Sequence, residues 1–323
     1  MPYLDSQTPP LSDAGAALLL LLLPLAFLRL ALTLAILAVY LLLLLLLQRR
    51  NKDTDVPNFR LYPVLVSASA LAAKAILAVL GFRLHVEGAE HARAAFAGKT
   101  ATVVVSNHVS YLDVFACAAV MGPYFPVTRA DVGQWPFFGA MLRLWGAQTV
   151  DRSREGGATA NGGSVTDLMT ARARRTDCWR KHPPMLVFPE GTCSTGDALL
   201  RFKSGCFVAG VPVLPLLLRY RCGALNAGWV WRERPTRSRV FRGWPVELVH
   251  LARLLVQRNK QLTVTLLPPY TPSPAERADP ALFAANVRRA MAASLGVQQQ
   301  EGASLDDARA YYAQRIKGYA KSA

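Results

Sequence analysis

Thr100-Ala101-Thr102-Val103-Val104-Val105-Ser106-Asn107-His108-Val109-Ser110-Tyr111-Leu112-Asp113 is the stretch on which the fold turns. Its first half is a β-branched run that reads as a buried strand. From Tyr111 to Met121 the pattern becomes helical. A strand that passes through a short turn into a helix is the opening unit of an α/β domain. The turn carries His108, and four residues separate it from Asp113. On one continuous helix residues so spaced sit about 140° apart, so the side chains meet only if His108 lies in the turn and Asp113 in the first helical turn. A histidine held by a carboxylate makes a weak hydroxyl nucleophile reactive near neutral pH. Ser110 to Asp113 is also a capping box, with Ser110 as N-cap and Asp113 satisfying the helix start. Both readings stand at this point.

Working outward, alternating α/β texture begins at His85. A helix is expected from Trp135-Pro136-Phe137-Phe138-Gly139 through Leu144, a short strand at Gln148–Val150, and a Gly-rich loop from Glu155 to Ser164. A basic helix at Val165–Trp179, a strand at Met185–Phe188, a strand at Leu262–Leu267 and a closing amphipathic helix at Pro280–Leu295 follow. Val211 to Tyr220 is a longer apolar strand interrupted by Pro212 and Pro215, which places it at a sheet edge or at the entry to a membrane-facing groove. The fold class is α/β: a mixed central sheet flanked by helices, with N-terminal membrane helices.

Ala14 to Leu47 is almost wholly apolar, with Arg29 as its one charge and Pro24 as its strong breaker. A single helix of that length would extend roughly 50 Å, against a hydrocarbon core of about 30 Å. It must tilt, break near Pro24 or Arg29, or run along the interface. The best single span is Leu30 to Leu47, closed by Gln48-Arg49-Arg50-Asn51-Lys52. That basic end places the following domain on the cytosolic side. Leu61 to Phe82 is a second apolar segment whose small residues and Lys74 suit a span or a half-embedded helix equally. The chain divides into residues 1–52, an N-terminal membrane segment; 53–90, a second membrane-associated segment; 91–297, the α/β domain; and 298–323, a C-terminal tail.

Apolar residues make up 52% of the 323 and charged residues 18%, which excludes global disorder. The net charge of +16 favours an anionic partner, a phospholipid headgroup or a nucleotide-bearing cosubstrate. Nucleic acid is not expected, since neither a zinc-finger spacing nor an RNA-binding aromatic motif is present. The five cysteines are scattered without CxxC spacing and read as reduced, mostly packed thiols.

Phe188-Pro189-Glu190-Gly191-Thr192 leaves a strand into a small-residue turn, where Glu190 can take a substrate hydroxyl or backbone amides. An ordinary strand-exit turn reads the same way. Arg152, after Gly146-Ala147-Gln148-Thr149-Val150-Asp151, suits a phosphate fork or a surface pair with Asp151 or Asp131. Lys203, in Arg201-Phe202-Lys203-Ser204-Gly205, follows the Glu-Gly-Thr turn closely. Seven arginines between Arg219 and Arg242, interleaved with Trp229 and Trp231, read as a lipid-surface or CoA-binding flap or as a solvated loop.

In order and spacing, Asn107-His108 to Asp113, Gly146 to Arg152, Phe188 to Thr192 and Val211-Pro212-Val213-Leu214-Pro215 resemble the glycerolipid acyltransferase superfamily. Leu186 to Cys193, Phe202-Lys203-Ser204-Gly205-Cys206-Phe207 and Leu217-Leu218-Arg219-Tyr220 bring the resemblance nearer to the lysophosphatidylcholine acyltransferase branch. It covers residues 60 to 297. The resemblance implies acyl-CoA-dependent esterification of the free hydroxyl, at sn-2, of a lysophospholipid at the endoplasmic reticulum membrane. It makes His108 and Asp113 catalytic, as general base and orienting partner. It makes Arg152, Glu190, Gly191, Thr192 and Lys203 the acceptor- and phosphate-binding set. Acyl-CoA is a cosubstrate, and neither a cofactor nor a metal is implied. With no cysteine expected beside His108 and no GxSxG elbow, a base is expected in preference to an acyl-enzyme. Cys193 stands where acyltransferases acting on lysophosphatidic acid commonly carry Arg, which favours a phosphodiester headgroup such as choline or ethanolamine. A lysophosphatidic acid or glycerol 3-phosphate acceptor, a CoA-independent transacylase, and a catalytically silent lipid-binding protein remain the alternatives.

Overall fold

The computed structural model describes residues 11–49, 58–59, 61–98, 103–129, 138–151, 158–159, 164–174, 183–223, 225–228, 240–241 and 244–299. The N-terminal apolar tract breaks at Leu22, between α1 (Asp13–Leu21) and α2 (Leu23–Leu47). Pro24 therefore falls in the first turn of a helix, where its missing N–H costs nothing. The second apolar segment is α3 (Tyr62–Val79). Both α2 and α3 are long and apolar enough to cross a membrane. The short strands β1 (Gln48–Arg49) and β2 (Asn58–Phe59) pair antiparallel between them.

An eight-stranded sheet follows, built from β3 (Phe82–Glu87), β4 (Val103–Ser106), β5 (Phe125–Arg129), β6 (Gln148–Asp151), β7 (Ala158–Thr159), β8 (Met185–Val187), β10 (Val213–Arg221) and β11 (Lys260–Leu266). Its order is β3-β11-β10-β4-β8-β5-β6-β7. β10 runs antiparallel to β11 and β7 antiparallel to β6; the other pairs are parallel, so the sheet is mixed as expected. A two-stranded ribbon joins β9 (Ala198–Leu199) to β12 (Gln298–Gln299). The helices after the sheet begins are α4 (Ala89–Gly98), α5 (Asp113–Met121), α6 (Phe138–Leu144), α7 (Val165–Ala173), α8 (Val246–Val256), α9 (Pro274–Ala278) and α10 (Pro280–Leu295).

Strand periodicity sorts the core into two layers. Val104, Leu214, Leu216 and Leu218 face a cluster with Leu37, Leu65, Ala116 and Leu254 from α2, α3, α5 and α8. Val103, Val105, Val213 and Leu217 face the other side, with Met169 of α7 and Phe283 and Val287 of α10. Helices thus cover both faces.

One expectation is corrected. β10 lies in the interior of the sheet, between β11 and β4. Pro215 is tolerated there because the β10–β11 ladder begins only at Leu216, opposite Leu266. Before it, the Pro215 carbonyl accepts from Leu267 N–H at 3.0 Å, and Val213 bridges to Tyr270. The chain between those contacts holds Pro268 and Pro269, so the missing N–H falls where the partner strand bulges.

Arg29, the one charge of the long apolar tract, has a specific partner. Its guanidinium donates to the carbonyls of Leu255 and, at 3.0 Å, Gln257 at the C-terminus of α8. The buried Lys260 ammonium donates to the neighbouring Leu254 carbonyl. Burial, then the charge of Arg29, lowers Lys260 to about 8. Two cations therefore close the negative end of α8. Further along α2, the Tyr40 hydroxyl accepts from Trp145 Nε1 at 3.0 Å and bonds Ser69 of α3. Replacing Arg29 by Met, Arg29→Met, leaves two α8 carbonyls without this donor. It is expected to destabilise the protein by about 1–3 kcal/mol, read as a lower midpoint of thermal unfolding in detergent micelles. An unchanged midpoint would contradict this anchoring.

Candidate active site

Sheet register brings the site together. Val105 pairs with Val187, and Leu216 with Ser106, so β4 and β8 end side by side in one direction, while β10 beside them runs on to Arg221. The segments after β4 and β8 run out at the carboxyl edge of the parallel strands, where open α/β sheets place their ligands. Asn107 continues the alignment with its side chain. Its amide donates to Leu218 O at 2.9 Å and accepts from Leu218 N at 2.7 Å, like a backbone ladder.

The next residue, His108, turns away from the sheet and lays its ring on Phe188, with centroids 4.2 Å apart. Its Nδ1 lies 2.8 Å from Asp113 Oδ2. The same oxygen accepts from the backbone N–H of Val109 at 2.7 Å and of Ser110 at 3.0 Å. The other oxygen accepts from the Tyr220 hydroxyl at 2.8 Å. Asp113 is fully buried, whereas 24% of the His108 side chain is exposed. Every backbone and hydroxyl partner presents a hydrogen to the carboxylate, so Nδ1 presents one too, and in the neutral ring Nε2 keeps the lone pair.

The two sequence readings of Asp113 describe one carboxylate. Half of the capping box is present, since Asp113 takes the Ser110 N–H. The other half is replaced: Ser110 Oγ accepts from Leu112 N–H at 3.2 Å, and the helix starts after Leu112. His108 therefore sits in the turn and Asp113 at the first residue of α5, the placement their spacing requires.

Glu190 takes the second of the roles open to it. It is fully buried; Oε1 accepts from His108 N–H at 2.9 Å and Oε2 from Leu200 N–H at 3.0 Å. It braces the catalytic turn instead of presenting an oxygen to solvent. Gly191 closes a turn on the Phe188 carbonyl at φ +70, a conformation that favours glycine. Gly191 and Thr192 are half-buried, and Ser194 N–H returns to the His108 carbonyl at 2.7 Å. Lys203 is exposed, with its N–H bonded to Pro189 O at 2.9 Å, so its stem starts beside the Glu-Gly-Thr turn. Arg152 lies outside the described residues, as does most of the Arg-rich stretch after Arg221.

Two contributors escape sequence reasoning. Tyr220 reaches Asp113 from β10, and burial followed by the Asp113 charge raises its phenol well above the ordinary value, so it stays a donor. Cys193 corrects the expectation that no cysteine lies beside the histidine, because its side chain hydrogen-bonds His108. The Ser194–His108 backbone bond seats it there. Burial of the ring favours its neutral form, but Cys193 and then Asp113 outweigh that and raise His108 to about 10. Cys193→Ser removes the side chain that does most to hold the proton on the ring, so the folded protein should show His108 losing its proton at lower pH in an NMR titration of the ring. A titration unmoved by Cys193→Ser would contradict the pairing.

The acyltransferase family matches residues 83–219, from β3 to the far part of β10. Lysophospholipid acyltransferase LPEAT1 of Arabidopsis thaliana is 35% identical over 210 residues, 65% of this chain and 48% of that protein. Lysophospholipid acyltransferase LPCAT4 of Homo sapiens is 35% identical over 224 residues, 69% of this chain and 38% of that protein. Lysophosphatidylcholine acyltransferase 1 of Rattus norvegicus is 32% identical over 69% of this chain. The chain thus spans about half or less of the length of these relatives. The solved 1-acyl-sn-glycerophosphate (LPA) acyltransferase PlsC of Thermotoga maritima overlays 83% of the chain and 96% of its own, with a TM-score of 0.43 at 15% identity. On the family match, which runs through the His108–Asp113 turn and the Glu190 turn, and on these relatives, the chain belongs to the glycerolipid acyltransferase superfamily and is closely related to its lysophospholipid acyltransferases.

Proposed function

We propose that the chain catalyses acyl-CoA-dependent acylation of the free sn-2 hydroxyl of a lysophospholipid with a phosphodiester headgroup, at the cytosolic face of the endoplasmic reticulum membrane. The observation that carries this reading is the His108 ring, tied through Nδ1 to a buried carboxylate and partly open to solvent. In its neutral form a ring so held takes a proton at Nε2. His108 accepts the proton of the lysophospholipid hydroxyl as its oxygen attacks the thioester carbonyl. The carbon–sulfur bond then breaks, and CoA leaves as a thiolate that recovers the proton from the imidazolium. Asp113 keeps the tautomer and balances the transient charge. The oxyanion needs N–H donors near the reacting carbon, and we assign one to the half-buried backbone at Thr192, which follows the Glu190–Gly191 turn tied to His108 N–H.

Lys203, and Arg152 with it, serve the phosphates of acceptor or CoA. Support for the headgroup comes from Cys193, which puts a thiol where a cation would meet a dianionic phosphomonoester. The names of the relatives, lysophospholipid and lysophosphatidylcholine acyltransferases, point the same way. The apolar helices α2 and α3 keep such a site beside its lipid substrate.

CoA release from acyl-CoA, measured on purified membranes with a panel of lysophospholipids, tests the proposal. Release is expected with lysophosphatidylcholine or lysophosphatidylethanolamine, and His108→Ala should reduce it by roughly 10²–10⁴-fold. No release with any acceptor would contradict the activity, and release with lysophosphatidic acid alone would contradict the headgroup assignment. Tyr220→Phe removes one donor to Asp113 while preserving the ring's packing. It is expected to lower kcat about tenfold with little change in KM for the acceptor. A changed KM with kcat intact would place Tyr220 in substrate binding instead.

A further inference from the structure

Helix α8 lies between β10 and β11, and at its start two exposed apolar side chains, one before the helix and one on it, are covered by no part of the described chain. Trp244, immediately before it, is 55% exposed and packs its ring edge on Phe241; Leu248 is 51% exposed. The neighbouring stripe is occupied: Val249, Ala252 and Val256 pack with Leu11, Ala16 and Leu19 of the α1 region. Leu248 lies one turn before Ala252, so its open face runs into α1, whose Leu18 and Leu21 are also exposed. Arg29 fastens the far end of α8 to α2. The open face of α8 is therefore continuous with the apolar surface of helices suited to a bilayer.

We propose that the Trp244–Leu248 face of α8 is a lipid-docking surface, which lies in the interfacial zone of the membrane beside α1 and α2. A tryptophan at the entry of an amphipathic helix suits the headgroup level. Arg258, exposed just beyond the C-terminus, and the net charge of +16 suit lipid phosphates around it. Two residues after Leu248, and so on the opposite side of the helix, His250 turns inward. Its ring meets Tyr111 of the catalytic turn with centroids 6.1 Å apart, and its Nε2 lies 3.2 Å from Asn226 O. The Asn226 amide in turn donates to Thr195 O at 3.4 Å, just past Cys193. The helix that meets lipid on one side thus walls the active site on the other, which sets the catalytic turn about one helix diameter, roughly 10 Å, from the lipid surface. The docking itself does not depend on the reaction proposed above.

The test places a photo-crosslinking benzoylphenylalanine at position 244 or 248 of the full chain in nanodiscs of phosphatidylcholine and phosphatidylglycerol. Position 282 on α10 is the control: Leu282 is 39% exposed but lies across the sheet from α8. Phospholipid adducts, counted by mass spectrometry, are expected at 244 and 248 at roughly ten times the yield at 282. Equal yields at the three positions, or adducts at 244 and 248 only to a second protein chain, would overturn the proposal. A nitroxide on Leu248→Cys provides a second measurement independent of the bulky label. It should collide more with oxygen than with a water-soluble nickel chelate, and the reverse order would equally overturn the docking.

Discussion

The buried carboxylate of Asp113 holds the site together. It collects two backbone N–H groups from the turn that begins its helix, the Tyr220 hydroxyl from the central strand β10, and His108 Nδ1. A buried carboxylate costs a great deal unless it is surrounded by donors. Those donors are the elements that must be fixed for a base to work: the strand-to-helix turn, the neighbouring strand and the ring. The energetic requirement of the buried charge and the geometric requirement of the site are met by the same contacts.

A second buried carboxylate repeats the arrangement one strand away. Glu190 ties the β8 turn to the backbone of His108 and to the segment before Lys203. The Ser194–His108 bond closes the link from the other side. The two signatures, 82 residues apart by their closest bond, are one structure because β4 and β8 are parallel neighbours. Farther out, Arg29 joins the apolar helix α2 to the end of α8 by the same logic: a charge that would be costly in apolar surroundings is matched to unpaired helix carbonyls.

Local signals were legible where the chain's own chemistry set the outcome. The closing helix spans Pro280–Leu295, as its proline start and periodicity imply, with Asp279 capping it through Ala281 and Leu282. His108 and Asp113 were legible because their spacing allows contact only across a turn. Tyr220 was not, because its contact with Asp113 is set by sheet register across 107 residues. The approach of Cys193 to His108 was hidden for the same reason, since it depends on how β8 and β4 exit the sheet together. The interior position of β10 ran against its two prolines: Pro212 falls just before the strand, and the bulge at Pro268–Pro269 after β11 accommodates Pro215. Glu190 offered two roles in sequence, and the choice between them came from burial.

The central claim is that Asp113 fixes the His108 tautomer and leaves Nε2 as the base. Nitrogen-15 NMR of histidine-labelled protein, with His108 assigned by comparison with His108→Ala, measures this directly above the pH at which the ring loses its proton. The structure predicts a neutral ring with hydrogen on Nδ1 and an unprotonated Nε2. A neutral ring protonated at Nε2 would contradict the account.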